Sequence, residues 1–323
     1  MADTLSRLGL GTSPLGNLYA EVTDHEARAV IDAAWEAGVR IFDTAPHYGL
    51  GLAEKRLGAA LKDRPRDEFL LSTKVGRLLV PDPSGVGRLD DDGFVVPATT
   101  RRVWDFSADG VRRSLESSLD RLGLDRVDVV YLHDPDDHWE QAAGEALPAL
   151  VELREQGVVG AIGAGMNQWQ MLARFVRESE VDAVDVVLLA GRYTLLEQPA
   201  LAELLPLCAE RGVDVLAAGL FNSGLLARQD VPDDATYDYR TAPADVVARA
   251  RRIAAVCARH GTTLPAAALW FPFGHPAVTG ALIGARSTAE LHANLAAFAE
   301  PPPPGLWADL RDEGLLEAEV PTP

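Results

Sequence analysis

The sequence predicts one α/β domain, a (β/α)8 TIM barrel over residues 1–323, and three observations carry that prediction. Eight short apolar runs read as strands, seven of them separated by helical patterns. The runs are continuously apolar rather than alternating, as strands buried on both faces are. Glycines cluster where the runs end, the rim on which a barrel carries its functional loops. A chain of 323 residues could form two domains, but an α/β barrel of this size is commonly one. A doubly wound sheet would instead call for Gly-x-Gly-x-x-Gly after an early strand. Gly9 and Gly11 begin such a pattern, but the third glycine is missing and position 14 is Pro. No repeat of roughly 20–50 residues is visible, so the chain is not a solenoid.

In chain order, Leu8-Gly-Leu-Gly-Thr12 reads as a short strand entering a glycine turn, which brings the backbone of Gly11 and Thr12 close to the barrel mouth. Thr23-Asp-His-Glu26 is a capping box. Its helix carries Ala27, Val30, Ile31, Ala34 and Trp35 on one face and stops at Gly38. Ile41 and Phe42 form a strand, Asp43 stands where it runs out, and Tyr48 follows in a loop begun by Pro46. Residues 52–61 read as helix and 69–73 as a strand that Lys74 ends. The segment 76–105, rich in Gly, Asp, Arg and Pro, is too long for a simple connection and reads as an active-site loop. Ser107 caps a helix that buries Val111, Leu115, Leu119 and Leu122.

Residues 127–132 are a strongly apolar strand with His133 at its end. A helix over 142–156 precedes a strand over 158–163, which leads into Gly165-Met-Asn-Gln168. A helix through 171–176 precedes the strand 184–189, ending in Ala190-Gly-Arg-Tyr193. Pro199 starts a helix that ends near Gly212, and the strand 213–217 leads into Gly219-Leu-Phe-Asn-Ser-Gly224. Pro243 suits the first position of a helix running to His260. Residues 278–283 are the last strand, and Ser287 opens a helix with Leu291, Leu295 and Phe298. The prolines at 301–304 are expected to end the folded domain, leaving a tail that packs little.

Composition narrows the partners. Thirty Lys and Arg against 48 Asp and Glu give a formal charge of -18, which argues against nucleic acid and against an anionic membrane. Cys208 and Cys257 make neither a disulfide framework nor a Cys-x-x-Cys metal motif, and they read as small buried apolar residues. The start, Met-Ala-Asp-Thr-Leu-Ser-Arg-Leu, has no apolar leader core, and no apolar stretch is long enough to span a bilayer. The expected location is the cytoplasm. No metal site is expected.

Four titratable groups stand at or just past three strand ends: Asp43 and Tyr48, Lys74, and His133. Each has a bland reading. Asp43 can cap a turn on which Tyr48 packs, a lone Lys after a strand is usually a solvated charge, and a lone His is usually structural. Their joint occurrence is harder to explain that way, because a barrel brings these ends together at one rim.

The contexts Phe-Asp-Thr-Ala-Pro-His-Tyr-Gly, Ser-Thr-Lys74 and Tyr-Leu-His133 resemble the aldo-keto reductase family in residue type, order and spacing, over about residues 8–298. The resemblance implies a catalytic tetrad of Asp43, Tyr48, Lys74 and His133. Tyr48 would exchange the hydroxyl proton, Lys74 would favour its phenolate, Asp43 would hold the ammonium, and His133 would orient the substrate oxygen. A free phenol near pKa 10 is a poor base at neutral pH. A charge pair at about 4 Å in an effective dielectric of about 20 is worth roughly 4 kcal/mol, or about three pKa units before desolvation opposes it.

The resemblance also implies a nicotinamide dinucleotide, NAD or alternatively NADP. Its carboxamide would meet Asn167, although the family's preceding Ser is here Met166. The family's Gln falls on Ala190 and its stacking Tyr near Ala218, so Phe221 is offered as another ring face. The loop Phe221, Asn222, Ser223, Gly224 and Leu225 matches the one that covers the pyrophosphate. Gly284, Ala285, Arg286 and Ser287, with Glu290 and Asn294, match the segment around the adenosine phosphate, where a helix N-terminus suits an anion. Glu290 either completes a capping box with Ser287 or faces the ribose and disfavours a 2′-phosphate, while Arg286 favours one.

The wording Tyr131-Leu-His-Asp-Pro-Asp-Asp-His138, Ala190-Gly-Arg-Tyr-Thr-Leu-Leu196 and Phe221-Asn-Ser-Gly-Leu225 is similar to a bacterial branch of sugar dehydrogenases, the L-fucose and D-threo-aldose 1-dehydrogenases. Pyridoxal 4-dehydrogenase and plant L-galactose dehydrogenase are close to that branch. The implied substrate is a cyclic aldose oxidised at C1 to a lactone, with His47, Trp104, Trp169 and Arg192 as wall residues beside His133. Pyridoxal oxidation, broad NADPH-linked carbonyl reduction and a non-catalytic nucleotide-binding subunit are the competing readings. An intact tetrad argues against the last.

Overall fold

The computed structural model describes residues 7–180 and 183–323; residues 1–6, read above for a leader, lie outside the described residues. The strands in chain order are β1 (Leu8–Gly11), β2 (Ile41–Asp43), β3 (Leu70–Val75), β4 (Arg77–Pro81), β5 (Thr100–Trp104), β6 (Val127–His133), β7 (Val159–Met166), β8 (Val186–Ala190), β9 (Asp214–Ala218), β10 (Thr236–Tyr237), β11 (Arg240–Thr241) and β12 (Val278–Gly284). Eight of them close a barrel in the order β1-β12-β9-β8-β7-β6-β3-β2, and the pairs are parallel. All eight carboxyl ends therefore meet at one rim.

Side-chain alternation decides what faces the barrel axis. Phe42, Leu71, Val75, Val130 and Leu132 join the large core between strands and helices. The opposite parity holds Tyr131, Leu188, Leu216 and Leu282, with Ile41 and Val129 packed on them, and these fill the interior. Asp43, Lys74 and His133 share that inward parity. In the register, Gly11 lies between Asp43 and Gly284, Asp43 faces Ser72, and Lys74 faces Tyr131. Gly9 must be glycine, because an added Cβ would fall 2.7 Å from Leu282 and 2.8 Å from Ile41.

The helices follow their sequence signals closely. Thr23 and Glu26 form the reciprocal capping box of Asp24–Glu36, which buries Ala27, Val30, Ile31 and Ala34. Ser107 accepts from the Gly110 amide at the start of Ala108–Leu122.

Several expectations change. Lys74 does not end its strand: β3 continues to Val75, which places Lys74 within the buried ladder. The segment 76–105 is no open loop. β4 and β5 pair as a hairpin with Arg77 opposite Trp104, and Phe94 and Val96 of its excursion pack with Leu50 against Tyr48. The helix expected over 142–156 begins as Trp139–Gln141, passes through a π-turn at Ala142–Ala146 and continues as Leu147–Glu155. Pro243 is the cap before Ala244–Arg259 rather than its first residue, and a further helix, Leu264–Trp270, precedes the last strand. The tail is folded: Gly305–Asp312 is a helix with Leu306, Trp307 and Leu310 buried, and Leu315, Leu316 and Val320 are buried after it. Its short apolar pattern follows a proline run, so local signals hid it, while contact with Phe271 and the Ala244–Arg259 helix secures it.

Candidate active site

β2 delivers Asp43 to the rim, and β3 delivers Lys74 beside it. Lys74 Nζ lies 2.8 Å from Asp43 Oδ1 and 2.7 Å from Oδ2, and it donates to the Thr44 carbonyl at 3.0 Å. The Ser72 hydroxyl donates to Asp43 Oδ1 at 2.7 Å. Thr12 donates from its backbone N–H and its Oγ1 to the Asp43 carbonyl, both at 2.9 Å. Thr12 is fully buried, so its polar groups hold Asp43 rather than facing a ligand.

Tyr48 stands over the ammonium, its ring centre 4.9 Å from Lys74 Nζ. Burial disfavours the ammonium, but Asp43 and Tyr48 outweigh it and leave the Lys74 pKa raised. For Tyr48 the balance runs the other way. Burial pushes the phenol up to about 12; Lys74 pulls it down and Asp43 pushes it up. The cationic pull expected from the sequence is present, yet desolvation exceeds it in the ligand-free protein.

His133, at the end of β6, is buried 6.0 Å from the Tyr48 ring. Burial first, then Arg77 and Lys74, hold its pKa well below the ordinary value, so the ring is neutral at working pH. His47 closes the cluster, its ring 5.5 Å from His133 and 5.2 Å from Phe94. Burial and the neighbouring Arg77, Arg102 and Lys74 depress it to about 2.

Three residues that the sequence reading missed complete this side. Arg77 pairs with Asp134, approaches His47 Nδ1 at 3.1 Å and lies over the Trp104 indole at 4.2 Å. Arg102 donates to the His47 carbonyl at 2.8 Å and pairs with Asp90 at 2.6 Å. Asp134 directly follows His133 with a left-handed φ of 46°, an unusual backbone for a non-glycine residue and one that recurs at functional sites. The sequence signals were that Asp134 directly follows His133 and that Arg77 lies three residues past Lys74; Arg102 carried none. The hairpin that brings Arg77, Arg102 and Trp104 over the rim is a long-range pairing.

Trp169 and Arg192 lie elsewhere. With Asn167, Glu197, Tyr237 and Asp238 they line a cavity of about 340 Å³, which His47 and Trp104 do not line. Arg192 pairs with Asp238 at 2.8 Å and Glu197 at 3.3 Å, and Glu197 also accepts from Tyr237 and Asn222. Arg192 therefore braces the segment after β9 instead of forming a wall beside His47. Trp169 packs partly on the core.

The remaining rim offers features that suit a dinucleotide. Asn167 Nδ2 is anchored on the Ala190 carbonyl at 2.9 Å. Asn222, Ser223 and Gly224 all have left-handed φ, giving the backbone concavity that suits an anion. Ser223 and Gly224 are exposed, while Asn222 and Leu225 are buried and Phe221 packs partly on the core, so Leu225 can offer backbone only. Ala285 is also buried. Ser287 caps Thr288–Ala299 by accepting from the Glu290 amide, and a helix N-terminus of this kind suits a phosphate. Asn294 is tied to the Gly284 carbonyl at 3.3 Å. Glu290 accepts from the Arg286 amide at 2.8 Å, and its carboxylate lies 3.9 Å from the Arg286 guanidinium. Ser287 accepts from Glu290, but Glu290 reaches back to Arg286 rather than Ser287, so the reciprocal box is not closed. Ala190 and Ala218, at the ends of β8 and β9, pack partly buried on the interior cluster and present only methyl groups at the rim. These residues fit the group.

Among the described residues no helix is long and apolar enough to cross a membrane, and no three His, Cys, Asp or Glu side chains converge as a metal site. A family model described as the Aldo/keto reductase family matches residues 7–311. The chain is 48% identical to a D-threo-aldose 1-dehydrogenase of a Pseudomonas species, covering 98% of this chain and 95% of that protein. It is 39% identical to a pyridoxal 4-dehydrogenase of Microbacterium luteolum, covering 97% and 95%. An aldo-keto reductase of Bacillus halodurans, solved in its holo form, superposes with a TM-score of 0.74 at 25% identity, covering 97% of this chain and 93% of that one.

Proposed function

Because the chain belongs to the aldo/keto reductase family and is an NAD(P)-dependent oxidoreductase, we propose that it oxidises a cyclic aldose of the L-fucose or D-threo-aldose type at C1, giving the lactone, with NAD+ as coenzyme. The observation that carries this reading is the buried Lys74–Asp43 pair under Tyr48, with neutral His133 beside it. The Pseudomonas relative, by its name, acts on D-threo-aldoses.

A bound nicotinamide dinucleotide would supply the hydride acceptor. Tyr48 takes the proton of the anomeric hydroxyl as C1 is oxidised, and the fixed charge of Lys74 stabilises the phenolate that accepts it. Asp43 keeps Lys74 charged and in place. Neutral His133 donates a hydrogen bond to the same oxygen and fixes its distance from Tyr48. The pocket wall contains the paired charges of Arg77 with Asp134 and Arg102 with Asp90, which suit a neutral, hydroxyl-rich substrate.

One observation favours a second reading: Trp104 is exposed and could stack on a pyridine ring, and the Microbacterium relative is a pyridoxal 4-dehydrogenase by name. Coenzyme reduction followed with a panel of aldoses beside pyridoxal, each with NAD+ and NADP+, decides the matter. Turnover of pyridoxal alone, or of carbonyl compounds with NADPH alone, overturns the aldose reading.

A further inference from the structure

Arg77 and His47 come together only through the hairpin over the rim, and their contact has a chemical consequence. A guanidinium can donate a hydrogen bond but cannot accept one. Its Nη1 lies 3.1 Å from His47 Nδ1, so Nδ1 must be the acceptor. A neutral imidazole that accepts at Nδ1 carries its proton on Nε2. Asp92 Oδ2 stands 4.0 Å from Nδ1, beyond hydrogen-bond reach; among the described residues His47 Nε2 has no hydrogen-bond partner, and the side chain keeps 18% exposure with its ring beside those of His133 and Tyr48.

Arg77 is itself held by two further groups. Asp134 pairs with its Nη2, Trp104 lies beneath its plane, and side-chain exposure is only 11%. Asp134 is in turn locked by its left-handed backbone and by the bond from its amide to the Gly165 carbonyl at 3.1 Å. The guanidinium therefore cannot swing away to let His47 change tautomer.

Building on the aldose reading above, we propose that Arg77 is a positioning residue that fixes His47 as an Nε2–H donor, and that His47 selects substrates presenting an acceptor oxygen on the carbon next to C1. In the reading above, Tyr48 and His133 engage the C1 hydroxyl. His47, adjacent in sequence to Tyr48 and in contact with His133, is placed for the next substituent.

The test has two arms. Nitrogen NMR of the substrate-free protein, with His47→Gln to assign the resonance, should show His47 protonated at Nε2 and not at Nδ1. Arg77→Met should yield a mixture of tautomers. In kinetics, Arg77→Met and His47→Leu should raise KM for the best aldose about tenfold while the corresponding 2-deoxy sugar is hardly affected. His47→Gln, whose amide can donate near the Nε2 position, should recover most of the KM lost in His47→Leu. A His47 protonated at Nδ1 overturns the proposal, as does an Arg77→Met protein in which tautomer and KM are unchanged, or equal KM losses for the aldose and its 2-deoxy analogue. If Arg77→Met does not fold, the wild-type NMR spectrum and the two His47 variants still decide. If no aldose is turned over, the function reading fails, and the NMR arm still judges the tautomer.

Discussion

Lys74 Nζ lies 2.7 Å from Asp43 Oδ2, and the two side chains are 2% and 4% exposed. A charge pair this deep forfeits much hydration, and removing one partner strands the other, at about 3–5 kcal/mol. Asp43→Asn should therefore lower the unfolding free energy by an amount in that range and abolish most activity. Asp43→Asn combined with Lys74→Met should recover part of the stability and none of the activity. Denaturant unfolding and initial rates check both; a double variant less stable than Asp43→Asn by more than about 1 kcal/mol contradicts the buried-pair account.

Tyr48→Phe keeps the ring and removes the hydroxyl that exchanges the proton. kcat should fall at least a hundredfold while coenzyme binding, followed by fluorescence quenching, stays within about threefold. Retention of a tenth of wild-type kcat would show that another group exchanges the proton.

The pH profile follows from the raised Tyr48 pKa. Below about 12 the ligand-free phenol is protonated, and the fraction able to accept a proton grows as pH rises. kcat/KM for oxidation, which reports the free enzyme, should climb through the neutral and alkaline range. His47, pushed to about 2, and His133, held well below its ordinary value, stay neutral there and add no inflection. A plateau reached below pH 8 would assign the limiting step to something other than Tyr48.

Coenzyme choice turns on Arg286 and Glu290. The sequence sets them in opposition, and the structure pairs them with each other, half-exposed. The pairing occupies the guanidinium that would otherwise meet a 2′-phosphate. NAD+ should be preferred over NADP+ in kcat/KM by roughly tenfold, the size of about 1–2 kcal/mol in a partly exposed site. Glu290→Gln should narrow that gap by freeing Arg286, and Arg286→Ala should reduce NADP+ use more than NAD+ use. A wild type that prefers NADP+ makes Arg286 dominant and overturns the role given to Glu290.

The tail helix offers a stability test. Trp307 is 2% exposed and approaches Phe271 of the main core. Trp307→Ala should cost about 3–5 kcal/mol in unfolding free energy, read as a lowered denaturant midpoint. A change under 1 kcal/mol would mean that the tail is only loosely applied.

The sequence alone determined the barrel and the rim at which Asp43, Lys74 and His133 gather. Continuous apolar runs must be buried on both faces, a parallel sheet with helical crossovers follows, and closure brings Asp43, Lys74 and His133 to one rim. Those are consequences of local periodicity and strand-end position, which a linear reading contains. Tertiary structure alone decided the rest. That all three point inward, and that Lys74 lies within its strand, the structure decided. Arg77 meets His47 because β4 and β5, both within residues 76–105, fold back as a hairpin, and Arg192 turns to Asp238 across 46 positions. The Tyr48 phenol rises rather than falls because desolvation, a property of everything packed around it, exceeds the pull of the single cation that the sequence displays. The tail helix forms because its Trp307 finds a distant core, which no signal within eight residues after a proline run could announce.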